Sequence, residues 1–406
     1  MENRKVTYRL YPNSNQAERL GEMLALHQRV YNAALEDRVR SYREEKKSLS
    51  FADQCKTLTQ WRHAYKELAD LNAQSLQVTL KRLDLAFQSF FRRVKTGDKP
   101  GFPRFKSLQR YPGWGYKTHG DGWRLFPGEK KGKHGQLRLS GIGMINMRGK
   151  ARSLGEPKTC EILHKSGKWY ASVTLVCNPA RTSGIKAIGL DWGVEKFITS
   201  HDNRGQTDHI ENPRYVKSSL KQLKLLQQSV SRKTNKQSHR RKKSIKFLSK
   251  LHSRLASRRK DFHHQEAAKL VKENGLIAVE ALSIRAMTQS GGSRKKGLNR
   301  EILSTAPAQF HQLLKSKAEE AGIIWIEIPT QIVKPSQTCY QCKTQKKKTL
   351  SERWHSCPCG ASCHRDENSA RVVLDYALAK VSGQELAEAG SRGCFATLNR
   401  EIHAIS

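Results

Sequence analysis

Five of the nine cysteines crowd between residues 339 and 363. Cys339 and Cys342 form "CYQC", and after 14 residues Cys357 and Cys359 form "CPCG". Thiolates in two close pairs on turns make a tetrahedral zinc site of ribbon type. This stretch is therefore expected to fold around one structural Zn²⁺ and not around an apolar core. The second pair is one residue short of the usual spacer, so Cys363 or His355 could replace one of its ligands. Such clustering speaks for metal and against disulfides, in a reducing compartment. Directly behind the pairs stands "HRDENSA", residues 364–370. Asp366 is there either as a helix cap or as part of a second, different metal chemistry.

Charge narrows the partner. Lys and Arg outnumber Asp and Glu by 75 to 36, a formal charge of +39, which calls for a polyanion. The chain has no long apolar run, signal-peptide core or lipidation signal, so the reading favours nucleic acid over a membrane surface, in a cytoplasmic or nucleoid-associated setting. Residues 214–260 carry 17 Lys or Arg and no Asp or Glu. Leu220, Leu223, Leu226 and Val230, then Phe247, Leu248, Leu251 and Leu255, keep a helical stripe through this run. One-signed charge on a helical hairpin, densest at Arg240, Arg241, Lys242 and Lys243, needs a polyanion to offset its self-repulsion.

At 406 residues the chain should form several domains. "RKVTYRLY" reads as a strand, and Asn13 or Ser14 after Pro12 offers a helix cap. Leu20, Met23, Leu24, Val30, Tyr31, Ala34 and Leu35, and later Leu76, Leu80, Leu83, Phe87, Phe90 and Phe91, recur at helical spacing as core stripes. Lys81, Arg82, Arg92, Arg93 and Lys95 would lie on the outer faces, the first four of them contacting nucleic acid. From "KTGDKPGFPRFKS" to about residue 182, Gly, Pro and alternating runs predict a β-rich module. If it pairs with the early strand, the helical block is an insertion into a β-barrel-like element.

The second half alternates differently. Strands are predicted at 186–192, 196–202 and 206–211, then helices, a strand at 275–282, a helix over 300–321, a strand at 323–329 and a last helix from Asp366. This ladder is RNase H-like, with 330–361 inserted before its final helix. Asp191 and Glu280 end neighbouring strands and Asp366 opens the helix, so three carboxylates would converge. Such a group repels itself unless divalent cations hold it, and oxygen ligands suit Mg²⁺ or Mn²⁺. Two such ions clamp a scissile phosphodiester, one activating the attacking water and the other stabilising the leaving 3′ oxygen. Gly189 and Gly193 beside Asp191 would suit close approach of backbone to metal or phosphate.

"YRLYPNSNQ", "HQRVYNAAL", "KPGFPRFKS", "IGLDWGVEKF", "KQLKLLQQSVSRK", "IAVEAL", the two cysteine pairs and "HRDENSA" occur in an order that resembles the TnpB family of insertion-sequence proteins, over about residues 4–380. The resemblance implies a multidomain α+β protein: an RNase H-like (RuvC-like) α/β nuclease domain with a zinc-ribbon insert, plus a helical recognition domain inserted in a β-barrel-like wedge domain. It puts the wedge at 1–12 and 112–182, the recognition domain at 13–111, the nuclease at 183–329 and 362–383 and the target-nucleic-acid-binding ribbon at 330–361; the Gly, Ser and mixed polar residues of 384–406 predict a disordered, dispensable tail. It implies an RNA-guided DNA endonuclease with catalytic Asp191, Glu280 and Asp366, zinc ligands Cys339, Cys342, Cys357 and Cys359, and a guide RNA derived from the transposon end. Target double-stranded DNA would be cut next to a short adjacent motif. The rival readings are a transposase acting without guide RNA, a guide-directed repressor without cleavage, which the three intact acids disfavour, and a junction resolvase, whose chains are smaller and lack the ribbon.

Overall fold

The computed structural model describes residues 2–126, 128, 135–149, 155–178, 181–349 and 352–388, and the chain divides into two units, Met1–Pro179 and Ala180–Ser406. In the first, strand β1 (Glu2–Tyr11) leads into helices α1 (Ser14–Glu45), α2 (Phe51–Ala64), α3 (Lys66–Ala69) and α4 (Ala73–Lys95). Capping places these starts. Asn13 and Gln16 form a reciprocal capping box, Ser50 and Asp53 form another, and Asn72 accepts from the Ser75 amide. Strands β2 (Gly113–Tyr116), β3 (Trp123–Phe126), β4 (Gln136–Leu139), β5 (Gly143–Arg148), β6 (Glu156–Lys165) and β7 (Lys168–Cys177) follow.

All seven strands pair antiparallel in the order β2-β6-β7-β1-β5-β4-β3. β1 thus lies mid-sheet between strands from more than 130 positions later, and the helical block is the insertion its position suggested. The block and the sheet share one apolar core, which joins Leu20, Leu35, Leu76, Leu80 and Leu83 to Trp114, Leu137, Ile145 and Val173; each fully buried leucine contributes about 2 kcal/mol. His27 of α1 is sealed within it. Its ring stacks on Trp114 at 5.3 Å and its Nδ1 meets the Thr79 hydroxyl at 2.9 Å, while burial holds its pKa down to about 3. It is a neutral core residue. Phe91 departs from the expected stripe: it is 57% exposed, because α4 outruns the layer that covers Phe87.

In the second unit β8 (Lys186–Trp192), β9 (Lys196–Asp202) and β10 (Thr207–Glu211) form an antiparallel meander. Helices α5 (Tyr215–Ser218), α6 (Leu220–Ser231) and α7 (His239–Glu273) lead to β11 (Asn274–Glu280), and α8 (Ile284–Met287), α9 (Ser293–Thr305) and α10 (Pro307–Glu320) lead to β12 (Ile324–Ile328). β11 pairs parallel to both β8 and β12, giving the order β10-β9-β8-β11-β12. This is the RNase H-like ladder expected. Helix α11 (Thr330–Val333), the small hairpin β13 (Trp354–Ser356) and β14 (Ser362–His364), and helix α12 (Arg365–Glu388) complete it. One sheet face packs on Ala267, Leu270, Phe310 and Leu314 of α7 and α10. The other packs on Val373, Leu374 and Ala377 of α12.

Three boundaries differ from expectation. The helix expected over 300–321 is two: α9 starts inside the Gly/Ser-rich break, and Ala306, left-handed at φ 48°, turns the chain before Pro307 opens α10, where a missing amide costs nothing. β11 stops at Glu280, and α12 continues to Glu388, into the tail expected to be disordered from 384. The rest of that tail, 389–406, lies outside the described residues. Among the described residues no helix is long and apolar enough to cross a membrane.

Candidate active site and metal centre

Strand alternation decides where the acids point. On β8, Ile188 and Leu190 enter the α7/α10 side, so Ala187, Gly189 and Asp191 face α12. On β11, Ile277 and Val279 face the same way as Leu190, so Leu276, Ala278 and Glu280 face α12 as well. The parallel register pairs Ala278 with Gly189 and Val279 with Leu190. One step further brings Glu280 level with Asp191 on the adjacent strand. On α12, Ala370, Val373 and Ala377 are fully or almost fully buried at helical spacing, and Asp366 sits four positions before Ala370 on that stripe. The three carboxylates therefore meet at one end of the sheet under the start of α12.

The electrostatics agree. Asp191 keeps some accessible surface, yet it is ringed by protein atoms. Burial raises its pKa well above the ordinary carboxylate value, and Glu280 and Asp366 raise it further, while Arg365 opposes them. Burial pushes Glu280 up to about 7. Asp191 is the central member, since it feels both other acids. Asp366 is not the cap of α12. That place falls to His364, whose Nδ1 accepts from the Asp366 amide at 3.3 Å, while the Asp366 carboxylate lies 3.7 Å from Arg365 Nε.

Gly189 has a different use from the one its place beside Asp191 suggested. A Cβ there would sit 2.3 Å from the Ala370 carbonyl and 2.7 Å from the Leu374 amide. The space is filled by the backbone of α12, not by metal or phosphate. At Gly193 the neighbour is the Lys196 carbonyl, 2.7 Å from such a Cβ. Gly189→Ala should push α12 outward and carry Asp366 with it, and misplacement by an ångström costs about a hundredfold in rate. The nucleic-acid cleavage that the resemblance implies, measured on the folded variant, checks this; a wild-type rate would mean that α12 does not need its close approach.

The thiolates form the second centre. Ligand atoms of Cys339, Cys342, Cys357 and Cys359 all lie within 4.8 Å of one another, and no other group of three or more His, Cys, Asp or Glu among the described residues is so tight. The acidic trio is more open. Cys339 and Cys359 sulfurs are 3.6 Å apart, and those of Cys342 and Cys357 3.5 Å. Hydrogen bonding with Thr344 holds the Cys342 thiol down to about 6, while burial and the neighbouring thiols push its partner Cys357 up to about 12. The donor set fits a Zn²⁺ ion. The short CPC spacer is accommodated by Gly360 at φ 92°, which closes the knuckle with its amide on the Cys357 carbonyl. Neither proposed substitute enters: Cys363 and His355 face each other across β13 and β14, and His355 pairs with Lys348.

The basic residues divide into free and engaged. Arg92 and Arg93 are exposed at the end of α4, and Arg240, Lys242 and Lys243 at the start of α7. Arg82 is not an outer-face residue: it pairs with Glu161 at 3.0 Å and donates to the Gly113 carbonyl. Lys81 is held by Asp84 at 2.8 Å. Arg241 closes the α6–α7 turn on the carbonyls of Val230 and Lys233. Sequence reading missed a set of exposed aromatics: Phe91, Phe102 and Phe105 are each at least half exposed. Phe105 stands on a segment pinned to α1, because Asn32 makes two hydrogen bonds with the Lys106 backbone. The alternation of "GFPRFK" with basic residues was the available signal.

Comparison with known proteins adds three matches along the chain. A family described as "Probable transposase" matches residues 170–291, "Cas12f1-like, TNB domain" matches 308–373, and "Helix-turn-helix domain" matches 1–47; the last span here forms β1 and the single helix α1. A Streptomyces pristinaespiralis protein named "Putative RNA-guided DNA endonuclease" is 30% identical over 93% of this chain and 90% of its own length. InsQ of Escherichia coli K12, with the same description, is 27% identical over 94% of both chains. Among solved structures, a Cas12f1–sgRNA–target DNA complex shares the fold with a TM-score of 0.58 at 14% identity, covering 89% of this chain and 83% of that one. The mini RNA-guided endonuclease Cas_phi3 gives 0.51 at 10% identity over 92% of each.

Proposed function

The chain belongs to the TnpB family of transposon-encoded proteins, and from that premise we propose that it is an RNA-guided DNA endonuclease with Asp191, Glu280 and Asp366 as its catalytic acids. The observation that carries the assignment is the gathering of these three carboxylates on one face, where Asp191 is opposed by burial and by both other acids. Mutually repelling, partly buried carboxylates mark a functional site, and a divalent cation relieves their repulsion. The donor set fits hard divalent ions, Mg²⁺ or Mn²⁺. Two such ions, when bound, would activate the attacking water and stabilise the leaving 3′ oxygen of a phosphodiester.

The chain's own residues do the rest. Asp191, Glu280 and Asp366 would together hold the ions. Arg365, whose charge opposes the shift at Asp191, favours the ionised form of that acid. The ribbon, through its thiolates, would carry one zinc as a structural element. Guide RNA and target DNA are the partners, base pairing reads the sequence and the protein reads a short motif beside it. The exposed Arg and Lys of α4 and α7 bind phosphates, and Phe91, Phe102 and Phe105 supply faces on which bases can stack.

Two measurements test this. RNA bound to the purified protein should match the end of its own element; cleavage by RNA-free protein alone would replace this reading with an unguided transposase. Changing Arg240, Lys242 and Lys243 to Gln, and sparing Arg241 because it holds the turn, should lower the log–log salt slope of RNA binding by about one for each phosphate that is no longer neutralised. An unchanged slope and affinity would make the α6–α7 hairpin a solvated face.

A further inference from the structure

We propose that Asn368 is a positioning residue through which the thiolate cluster governs where Asp366 stands, so that zinc occupancy sets the divalent-cation affinity of the carboxylate site. The inference rests on the reading that Asp191, Glu280 and Asp366 hold divalent ions.

Asn368 lies two positions after Asp366, in the first turns of α12, and is fully buried. Its amide is used three times, all on the stretch that enters the first cysteine knuckle. Nδ2 donates to the carbonyls of Pro335 at 3.1 Å and Thr338 at 2.7 Å, and Oδ1 accepts from the Tyr340 amide at 3.1 Å. Thr338 and Tyr340 flank Cys339, so the bonds bracket a zinc ligand. Only a short amide offers two donors and an acceptor in that space.

Further ties run in parallel. The Arg371 guanidinium covers the Tyr340 ring at 4.5 Å while Glu367 holds it at 2.6 Å, and Lys343 reaches Asp375 at 2.7 Å. From the other side, the Arg365 amide donates to the Arg353 carbonyl at 2.8 Å, its guanidinium donates to the Glu352 carbonyl at 3.0 Å, and His364 pairs with Trp354. The first turn of α12 is thus gripped by both halves of the ribbon.

A ribbon of this size has little apolar surface to bury, and its knuckles fold with their ion. Without zinc, residues 335–340 lose their shape and Asn368 loses its partners. A helix end stripped of its partners frays, and this end carries Asp366. Sheet-borne Asp191 and Glu280 stay, but the site lacks its third ligand. Hydrogen-bonding partners of this kind set metal affinity by holding the ligand in place.

The test uses the full-length chain. Mn²⁺ binding is followed by electron paramagnetic resonance on RNA-free protein, zinc by elemental analysis, and the Mg²⁺ needed for half-maximal cleavage on RNA-loaded protein. Asn368→Ala should keep its zinc yet weaken Mn²⁺ binding and raise the Mg²⁺ requirement by about 10- to 100-fold, the range for removing a group that orients a metal ligand. Excess Mg²⁺ should rescue its cleavage. Cys342→Ser should weaken Mn²⁺ binding as much, and the double variant no more than either alone, since both act through one link. If Asn368→Ala aggregates, Asn368→Asp keeps the shape, lacks both donated bonds and is judged by the same criterion. Wild-type Mn²⁺ affinity in the zinc-loaded Asn368 variants, or additive losses in the double, overturns the link. Wild-type Mn²⁺ affinity in Asp366→Ala overturns the carboxylate reading instead.

Discussion

Asp191→Ala, Glu280→Ala and Asp366→Ala will each abolish Mg²⁺-dependent cleavage of guide-matched DNA, by about four orders of magnitude or more, because residues that act as one unit fail together. RNA and target binding will stay close to wild type, since they rest on Lys, Arg and base pairing elsewhere. A second alanine among the three will cost little more than the first. Cleavage and affinity measured on the same RNA-loaded preparations check this; normal cutting by Asp366→Ala, with Asp191→Ala dead, would remove Asp366 from the site. The raised pKa values add a stability arm. A carboxyl whose folded pKa exceeds its unfolded value contributes stability below the unfolded pKa and loses it as pH rises through the folded one. For Glu280 that window runs from 4.5 to about 7. Metal-free Glu280→Gln should therefore be up to about 3 kcal/mol more stable than wild type at pH 8 and equal to it near pH 4. Mg²⁺ should narrow the gap by stabilising only the wild type. Thermal unfolding at the two pH values, with and without Mg²⁺, reads it out.

Cys339→Ser and Cys342→Ser will each lose close to one zinc per chain, because four thiolates converge on one point and ligation carries about 10–16 kcal/mol of folding free energy in isolated zinc domains. The ribbon will melt while the central sheet persists. Neither of the two cores that hold the sheet draws on any residue between 334 and 372. Cys363→Ser will keep its zinc, for that thiol faces His355 across the β13–β14 hairpin and stands outside the cluster. Zinc content with far-ultraviolet circular dichroism measures all three. Full zinc in both knuckle variants would reject the cluster as a metal centre, and loss of zinc in Cys363→Ser would move the fourth ligand there.

Local features of this chain were readable where one residue type dictates one local outcome. Short apolar and β-branched runs marked β8, β9 and β11, and a helical stripe marked α1. Asn13 marked a helix start, and the CYQC and CPCG spacing marked the thiolate knuckles. The stripe over 300–321 misled because apolar periodicity continues across Ala306 and Pro307, where the backbone turns. The basic residues misled in another way. Nothing adjacent to Arg82 or Arg241 announces that one is bound to Glu161, 79 positions away, and the other to the carbonyls of its own turn.

The sequence by itself determined the order of strands and helices in the second half apart from the break at Ala306, that a zinc-type thiolate cluster precedes Asp366, and that the chain seeks a polyanion. Each follows from neighbours in the chain: spacing, capping chemistry and uncompensated charge. Only the tertiary structure decided that Glu280 stands level with Asp191, since that depends on the order and parallel register of strands more than 80 residues apart. It alone decided that Gly189 leaves room for α12, that Cys359 and not Cys363 closes the cluster, and that Asn368 ties the ribbon to the turn carrying Asp366. Those outcomes depend on which backbones approach within a few ångströms. Packing of the whole sheet sets that distance, and no local pattern encodes it.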